Sequence, residues 1–390
     1  MRQLRFGSDL RARERALRMI SLNSLNGIVC PGLRNLTWAA QSYTLPFYHL
    51  FISPHLTAFS FQCTHFRGRD PDEVLSNLAP MIAELQTSSL QSFQVDLSIN
   101  TALTLTDLDS ALSSAVLRCG SSLTTLTMSV PLSDAAVQHI MQLPKLTAWT
   151  TTNGLPRVSD SSPPDAFPTL KSLELHTKVS IGWIPFFVAN ARRSSSGRSA
   201  HIPPNRGPDR QLTTLICRAG APIDAAFISN IMLFHGLVHL ELDSSCSSGG
   251  GCAFGLADDN VAEIAIALPN LTDATFGDVC ATNSCRTTVC SLLFLSTRCK
   301  NLEFLEIHFN TTNLRDDLES MPENPRLRDL RAFPRCQLRR FSATNAPLWM
   351  HPEDYVPVAT GFLDIFPSLY EVYGTAAGWD GLNSNFQFPR

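Results

Sequence analysis

One pattern returns along almost the whole chain: Leu-x-x-Φ-x-Φ, where Φ is an apolar residue. It occurs at Leu33/Leu36/Trp38, Leu56/Phe59/Phe61, Leu90/Phe93/Val95, Leu123/Leu126/Met128, Leu146/Trp149 and Leu170/Leu173/Leu175. It continues at Leu212/Leu215, Leu237/Leu240/Leu242, Leu271/Ala274/Phe276, Leu302/Leu305/Ile307, Leu338/Phe341 and Leu369/Val372. Apolar residues two apart mark a strand with one buried face. Successive first leucines lie 23 to 42 residues apart, which leaves room for one short strand and one helix per copy, with connections of variable length.

The stretches between these strands turn helical. Ser133 is followed by apolar residues at Ala136, Val137, Ile140 and Met141, an i, i+3, i+4 stripe behind a capping serine. Asp258 to Leu268 does the same through Val261, Ile264, Ala265 and Leu268. Further helices are expected at 71–85, 104–118, 222–233, 284–298 and 353–365, each opening with Asp, Thr, Ser or Pro near its first turn. The run from Leu302 to Asn310, LEFLEIHFN, fits the full leucine-rich-repeat template. The expected fold is therefore α/β: a leucine-rich-repeat solenoid, an irregular ribonuclease-inhibitor-like horseshoe of about twelve strand-helix repeats. Residues 1–29 are read as an N-terminal basic helix and capping segment, and 30–390 as the repeat domain.

Charge is uneven. The formal total is −3, but the first 20 residues and residues 191–210 each sum to +4, which leaves −11 on the rest. The 191–210 stretch, ARRSSSGRSAHIPPNRGPDR, is nearly devoid of apolar residues and is expected to be a disordered basic loop inserted between repeats. Its Arg192-Arg193-Ser194-Ser195-Ser196 run suits a basophilic kinase. Ser244–Gly251 is a second flexible loop. No apolar stretch reaches the roughly 20 residues of a membrane span. The 11 cysteines are odd in number and scattered without a Cys-x-x-Cys pair, which reads as a reducing, cytoplasmic or nuclear setting.

Enzyme signatures are missing from the sequence. Gly249-Gly250-Gly251 lacks the spacing and the lysine of a phosphate loop. Cys280, Cys285 and Cys290 stand five apart, so on a helix successive thiols would point some 140° apart and fail to converge on a metal. Three residues before the first leucine of a repeat stand Cys30, Leu143, Phe167, Phe234, Leu268, Cys299 or Phe366, so cysteine there behaves as a small core residue. Cys246 and Cys252 form the one pair worth testing for oxidation. No cofactor, no metal and no catalysis are expected.

The phrases CPGLRNLTW (Cys30 to Trp38), LSDAAVQHIMQLPKLTAW (Leu132 to Trp149) and LADDNVAEIAIALPNLTDATF (Leu256 to Phe276) resemble the cysteine-containing leucine-rich repeats of F-box proteins. The resemblance is closest to the fungal (basidiomycete) F-box/LRR-like set and covers nearly the whole chain. It implies a substrate receptor of a Skp/cullin/F-box ubiquitin ligase, with a Skp adaptor as partner where an F-box lies upstream. The roughly 30 residues before the first repeat carry no Leu-Pro-led F-box; Ser8 to Ile20 reads as one amphipathic Arg-rich helix. An LRR adaptor without a ubiquitin role is the alternative.

In such a repeat the x positions line the concave sheet face. In the first five repeats they are nearly all neutral: Asn35, Thr37, Ser60, Ser92, Gln94, Thr125, Thr127 and Thr150. Later they include Glu174, His176, His239, Glu241, Asp243, Asp273, Glu303, Phe304, Glu306 and His308. The face from Glu174 to His308 is expected to bind a basic protein segment, with Phe304 and Tyr373 as aromatic anchors. Its acidity repels phosphate backbones, so no nucleic acid partner is expected.

Overall fold

The computed structural model describes residues 3–6, 11–23, 27–39, 45–63, 71–85, 87–97, 106–152, 167–177, 212–219, 223, 225–244, 256–277, 286–320, 335–343, 351–374, 379 and 382. They form an α/β chain of parallel strands alternating with helices. It divides into two compact units, the first comprising the described residues up to His176 and the second those from Thr177 onward.

The first unit holds β1 (Gln3–Phe6), α1 (Arg11–Asn23), β2 (Asn35–Ala39), β3 (Ala58–Cys63), α2 (Pro71–Glu84) and β4 (Ser92–Leu97). It continues through α3 (Thr106–Leu117), β5 (Thr125–Met128), α4 (Asp134–Gln142), β6 (Ala148–Thr151) and all but the last residue of β7 (Ser172–Thr177). The second unit holds β8 (Thr214–Ala219), α5 (Ala225–Ile231), β9 (His239–Ser244), α6 (Asp258–Ala267), β10 (Asp273–Phe276) and α7 (Val289–Arg298). After these come β11 (Phe304–Ile307), α8 (Leu314–Ser320), β12 (Arg340–Ala343), α9 (Tyr355–Ile365) and β13 (Glu371–Gly374). Within each unit every strand pairs in parallel with the next in chain order.

Register turns the sequence pattern into rows. In the first unit Leu36, Phe59, Phe93, Leu126, Trp149 and Leu173 stand side by side and buried, and beside them runs a second buried row, Trp38, Phe61, Val95, Met128, Thr151 and Leu175. In the second unit Leu215, Leu240, Ala274, Leu305, Phe341 and Val372 form the first row. Such rows persist because parallel neighbours keep equivalent side chains about 4.8 Å apart, and each buried Leu or Phe contributes about 1.5–3 kcal/mol.

A shared turn delivers the chain into each strand. The first leucine of a repeat donates its N–H to the carbonyl three residues back: Leu33 to Cys30 at 3.0 Å, Leu90 to Thr87 at 3.2 Å, Leu237 to Phe234 at 3.0 Å, Leu302 to Cys299 at 3.1 Å and Leu369 to Phe366 at 3.0 Å. The carbonyl just after that leucine then accepts two N–H groups of the next repeat, as Thr124 O does from Thr147 and Ala148, and Thr272 O from Glu303 and Phe304. Where the entering residue is threonine its hydroxyl adds a third bond: Thr124 Oγ1 to Gln91 O at 2.8 Å, Thr147 Oγ1 to Thr124 O at 3.0 Å and Thr272 Oγ1 to Val238 O at 3.2 Å. This accounts for the backbone polar groups that short parallel strands would otherwise bury unpaired.

Helix starts are capped from the sequence. Ser133 accepts the Ala136 N–H at the start of α4. Thr288 caps α7, and Asp258 of α6 reaches it from the preceding repeat, accepting from the Thr288 N–H and hydroxyl, each at 2.7 Å, and from the Ser291 hydroxyl at 2.5 Å. At the C-terminal end, Phe309, Phe341, Phe362, Phe366 and Trp379 pack into one aromatic cluster, with the Phe341 and Phe362 ring centroids 5.3 Å apart. This contact puts α9 directly beneath β12.

The structure adds one strand to the expected set. Gln3–Phe6 pairs with β2, ahead of a helix that runs from Arg11 to Asn23, so the N-terminal segment holds more than a helix and a cap. Of the two cysteines read as core residues, Cys299 is fully buried, while Cys30 is only half-buried. The 191–210 loop with its Ser194–Ser196 run, the Gly249–Gly251 run, and Cys246, Cys252, Cys280 and Cys285 lie outside the described residues.

Candidate binding faces of the two units

In β3, β4, β5, β10 and β11 the side opposite the buried rows keeps part of its surface open. In the first unit the middle open row is Thr37, Ser60, Gln94, Thr127, Thr150 and Glu174. Its side chains hydrogen-bond along the row: the Ser60 hydroxyl donates to Gln94 Oε1 at 3.1 Å and the Thr150 hydroxyl to Glu174 Oε2 at 3.2 Å. Glu174 also pairs with His176 at 2.6 Å, two residues along β7 on the same face. Glu174 thus ends a neutral row and belongs to the first unit, apart from the other residues expected to join it.

In the second unit one open row reads Thr214, His239, Asp273, Phe304, Arg340 and Glu371, and its neighbour Ile216, Glu241, Thr275, Glu306, Ser342 and Tyr373. Asp243 follows Glu241 on β9, across from Arg218 on β8. His239, Glu241, Asp243, Asp273, Phe304, Glu306 and Tyr373 therefore share one face, as the alternation of the sequence predicts. Glu241 and Glu306 are two strands apart, roughly 10 Å, with Thr275 between them and Asp273 on the same strand as Thr275.

Two expected members do not join this face. His308 is 2 % exposed: β11 ends at Ile307, and the next residue turns inward, donating its N–H to Phe276 O and accepting the Thr287 hydroxyl on its carbonyl at 2.6 Å. Alternation counted one residue past the strand's end fails because the strand has already bent. Glu303 is exposed but stands before β11 in the entering turn, where its backbone bridges β10 and β12. In Leu-x-x-Φ only the second x belongs to the open face.

Two arginines were missed. Arg218 Nε donates to Glu241 Oε1 at 2.5 Å, and the Arg340 guanidinium lies over the Phe304 ring, 5.3 Å from its centroid. Arg218 escaped because the Leu212/Leu215 repeat shows no third leucine; Cys217, buried at 2 % exposure, fills that slot and carries β8 on to Ala219. The face is therefore acidic with its own cations on β8 and β12.

Burial pushes Cys119 and Cys299 up to about 12 and Cys336 to about 11, so these thiols stay protonated and unreactive near neutrality. Among the described residues no group of three or more His, Cys, Asp or Glu could hold a metal ion, and no helix is long and apolar enough to cross a membrane. Compared with known protein families and with curated proteins, the chain matches no family model and no curated protein.

Proposed function

We propose that the protein is a leucine-rich-repeat interaction scaffold without catalytic activity. On this reading it holds a protein on the open strand faces and, as the F-box resemblance implies, presents it to a ubiquitin ligase. The observation that carries the reading is the division of the strands from β2 on: the inward side chains are spent on the core, and the outward ones change in chemistry from repeat to repeat. A face freed in this way is available for recognition, and large open sheet faces are how stacked-repeat proteins bind partners. The entering turn of each repeat, with its paired N–H groups on one carbonyl, supports the same assignment.

The ligase link rests on the phrases around Cys30, Leu132 and Leu256. Affinity purification of the tagged full-length chain from its native cells tests it. Where an F-box lies upstream, co-purification of a Skp adaptor and a cullin is the expected result. Capture of a defined partner with neither Skp nor cullin would establish the simpler adaptor role instead.

A further inference from the structure

We infer that the open face of the second unit docks a cationic, extended protein segment, and that Arg218 and Arg340 are resident competitors occupying two of the positions its cations would take. This rests on the scaffold reading above and specifies the partner's chemistry.

The argument starts from charge placement. Glu241, Asp273 and Glu306 lie on three successive strands and surround Thr275, a short side chain that leaves the centre low. Carboxylates on adjacent strands of one face repel unless cations lie between them. Among the described residues Arg218 meets Glu241, and Arg340 lies over the ring of Phe304. Both arginines are open to solvent, Arg340 exposed and Arg218 44 % exposed on its side chain against 15 % for Glu241, so an incoming guanidinium or ammonium can displace them. Each shows what its acceptor takes: a carboxylate that accepts a guanidinium N–H, and an aromatic face that holds a cation. An acidic partner would meet like charge on β9, β10, β11 and β13. An extended segment suits the face because its side chains on one side repeat every 6–7 Å, close to the step along a strand.

The competitor role separates this from a merely polar surface. Removing a resident cation strengthens capture if the partner is cationic and weakens it if the partner is acidic. The test measures binding of a fluorescent peptide of alternating Arg and Ser, and of its Glu/Ser counterpart, to the full-length chain by anisotropy. The expected result is salt-sensitive binding of the basic peptide alone. Arg340→Ala and Arg218→Ala each tighten it about two- to fivefold, the equivalent of one exposed cation contact. Arg298→Ala, at the end of α7, removes the same charge away from the face and leaves binding within error. Joint Glu241→Gln, Asp273→Asn and Glu306→Gln weakens it at least about tenfold and flattens the salt dependence. Preference for the acidic peptide, no binding of either, unchanged or weaker binding in Arg340→Ala, or equal tightening by Arg298→Ala would each overturn the inference. The Skp and cullin result does not depend on this face, so the two readings fail separately.

Discussion

The two units solve the same folding problem and differ in what they leave on the surface. Both stack parallel strands with two buried rows, and both enter each strand through the same turn. On the open side the first unit sets Thr37, Ser60, Gln94, Thr127 and Thr150 in a line, whereas the second sets Glu241, Glu306 and Tyr373 in the equivalent line. The difference teaches that the repeat constrains the inward positions and leaves the outward ones free. Chemistry that varies between two regions of equal backbone geometry is chemistry the fold did not require.

The inward rows are the strongest place to break the comparison. Trp149→Ala in the first unit and Phe341→Ala in the second each remove a fully buried ring, and each is expected to destabilise its unit by about 3–5 kcal/mol in urea denaturation. A cost below about 1 kcal/mol at either position would mean that the rows are not load-sharing cores in both units.

Gly374 sharpens the point at the last repeat. The position corresponds to Leu242, Phe276 and Ile307, yet it is glycine, because a Cβ there would stand 2.0 Å from Trp379 Cδ1. The indole fills the slot from another part of the chain. Gly374→Ala is expected to cost at least about 1–3 kcal/mol through overpacking, and joint Gly374→Ala with Trp379→Ala to recover little, since the ring's own burial is lost. A neutral Gly374→Ala in thermal denaturation would contradict this packing.

A smaller effect is expected between α6 and α7. Asp258→Ala leaves the Thr288 N–H and two hydroxyls without their acceptor, and should lower stability by about 1–2 kcal/mol. Asp258→Asn should recover part of it, because the amide oxygen still accepts. Equal losses in both variants would show that charge, not capping geometry, matters there.

The smallest concerns pH. Asp317 on α8 has its carboxyl held above the usual range, first by burial and then by Asp316 and Asp258. A folded-state value above the unfolded one means the folded chain binds the proton more tightly, so this group's penalty is present at neutral pH and fades as pH falls through the raised value. Asp317→Asn should raise the melting temperature slightly at pH 7, with the gain vanishing at low pH. A gain that grows on acidification would reverse the sign and the assignment.

Much of this was legible in residue order. The first leucines and the Φ positions mark the buried rows because alternation is a direct consequence of strand geometry, and the helices at 71–84, 134–142 and 258–267 follow from their stripes and caps. What escaped did so for local reasons. β1 shows only Leu4 and Phe6 among polar and basic residues, and without the leading leucine nothing in QLRF distinguishes it from a helix approach. Cys217, Thr151 and Gly374 stand where leucine-like residues were sought, because small or polar side chains fit slots that neighbours have already filled. His308 turned inward one residue after its strand ended, and Arg218 and Arg340 became visible only once the register placed them beside Glu241 and Phe304.

The central claim is that recognition belongs to the open face of the second unit and not to its neutral counterpart. A photo-crosslinking side chain introduced at Ser342 in the second unit, or at Thr127 in the first, tests it in the full-length chain with the alternating Arg/Ser peptide. Both positions lie in an open row beside buried neighbours. Strong crosslinking from Ser342, abolished when Glu241, Asp273 and Glu306 are neutralised, with none from Thr127, is the predicted result. Equal crosslinking from the two positions, or crosslinking that survives the neutralisation, would contradict it.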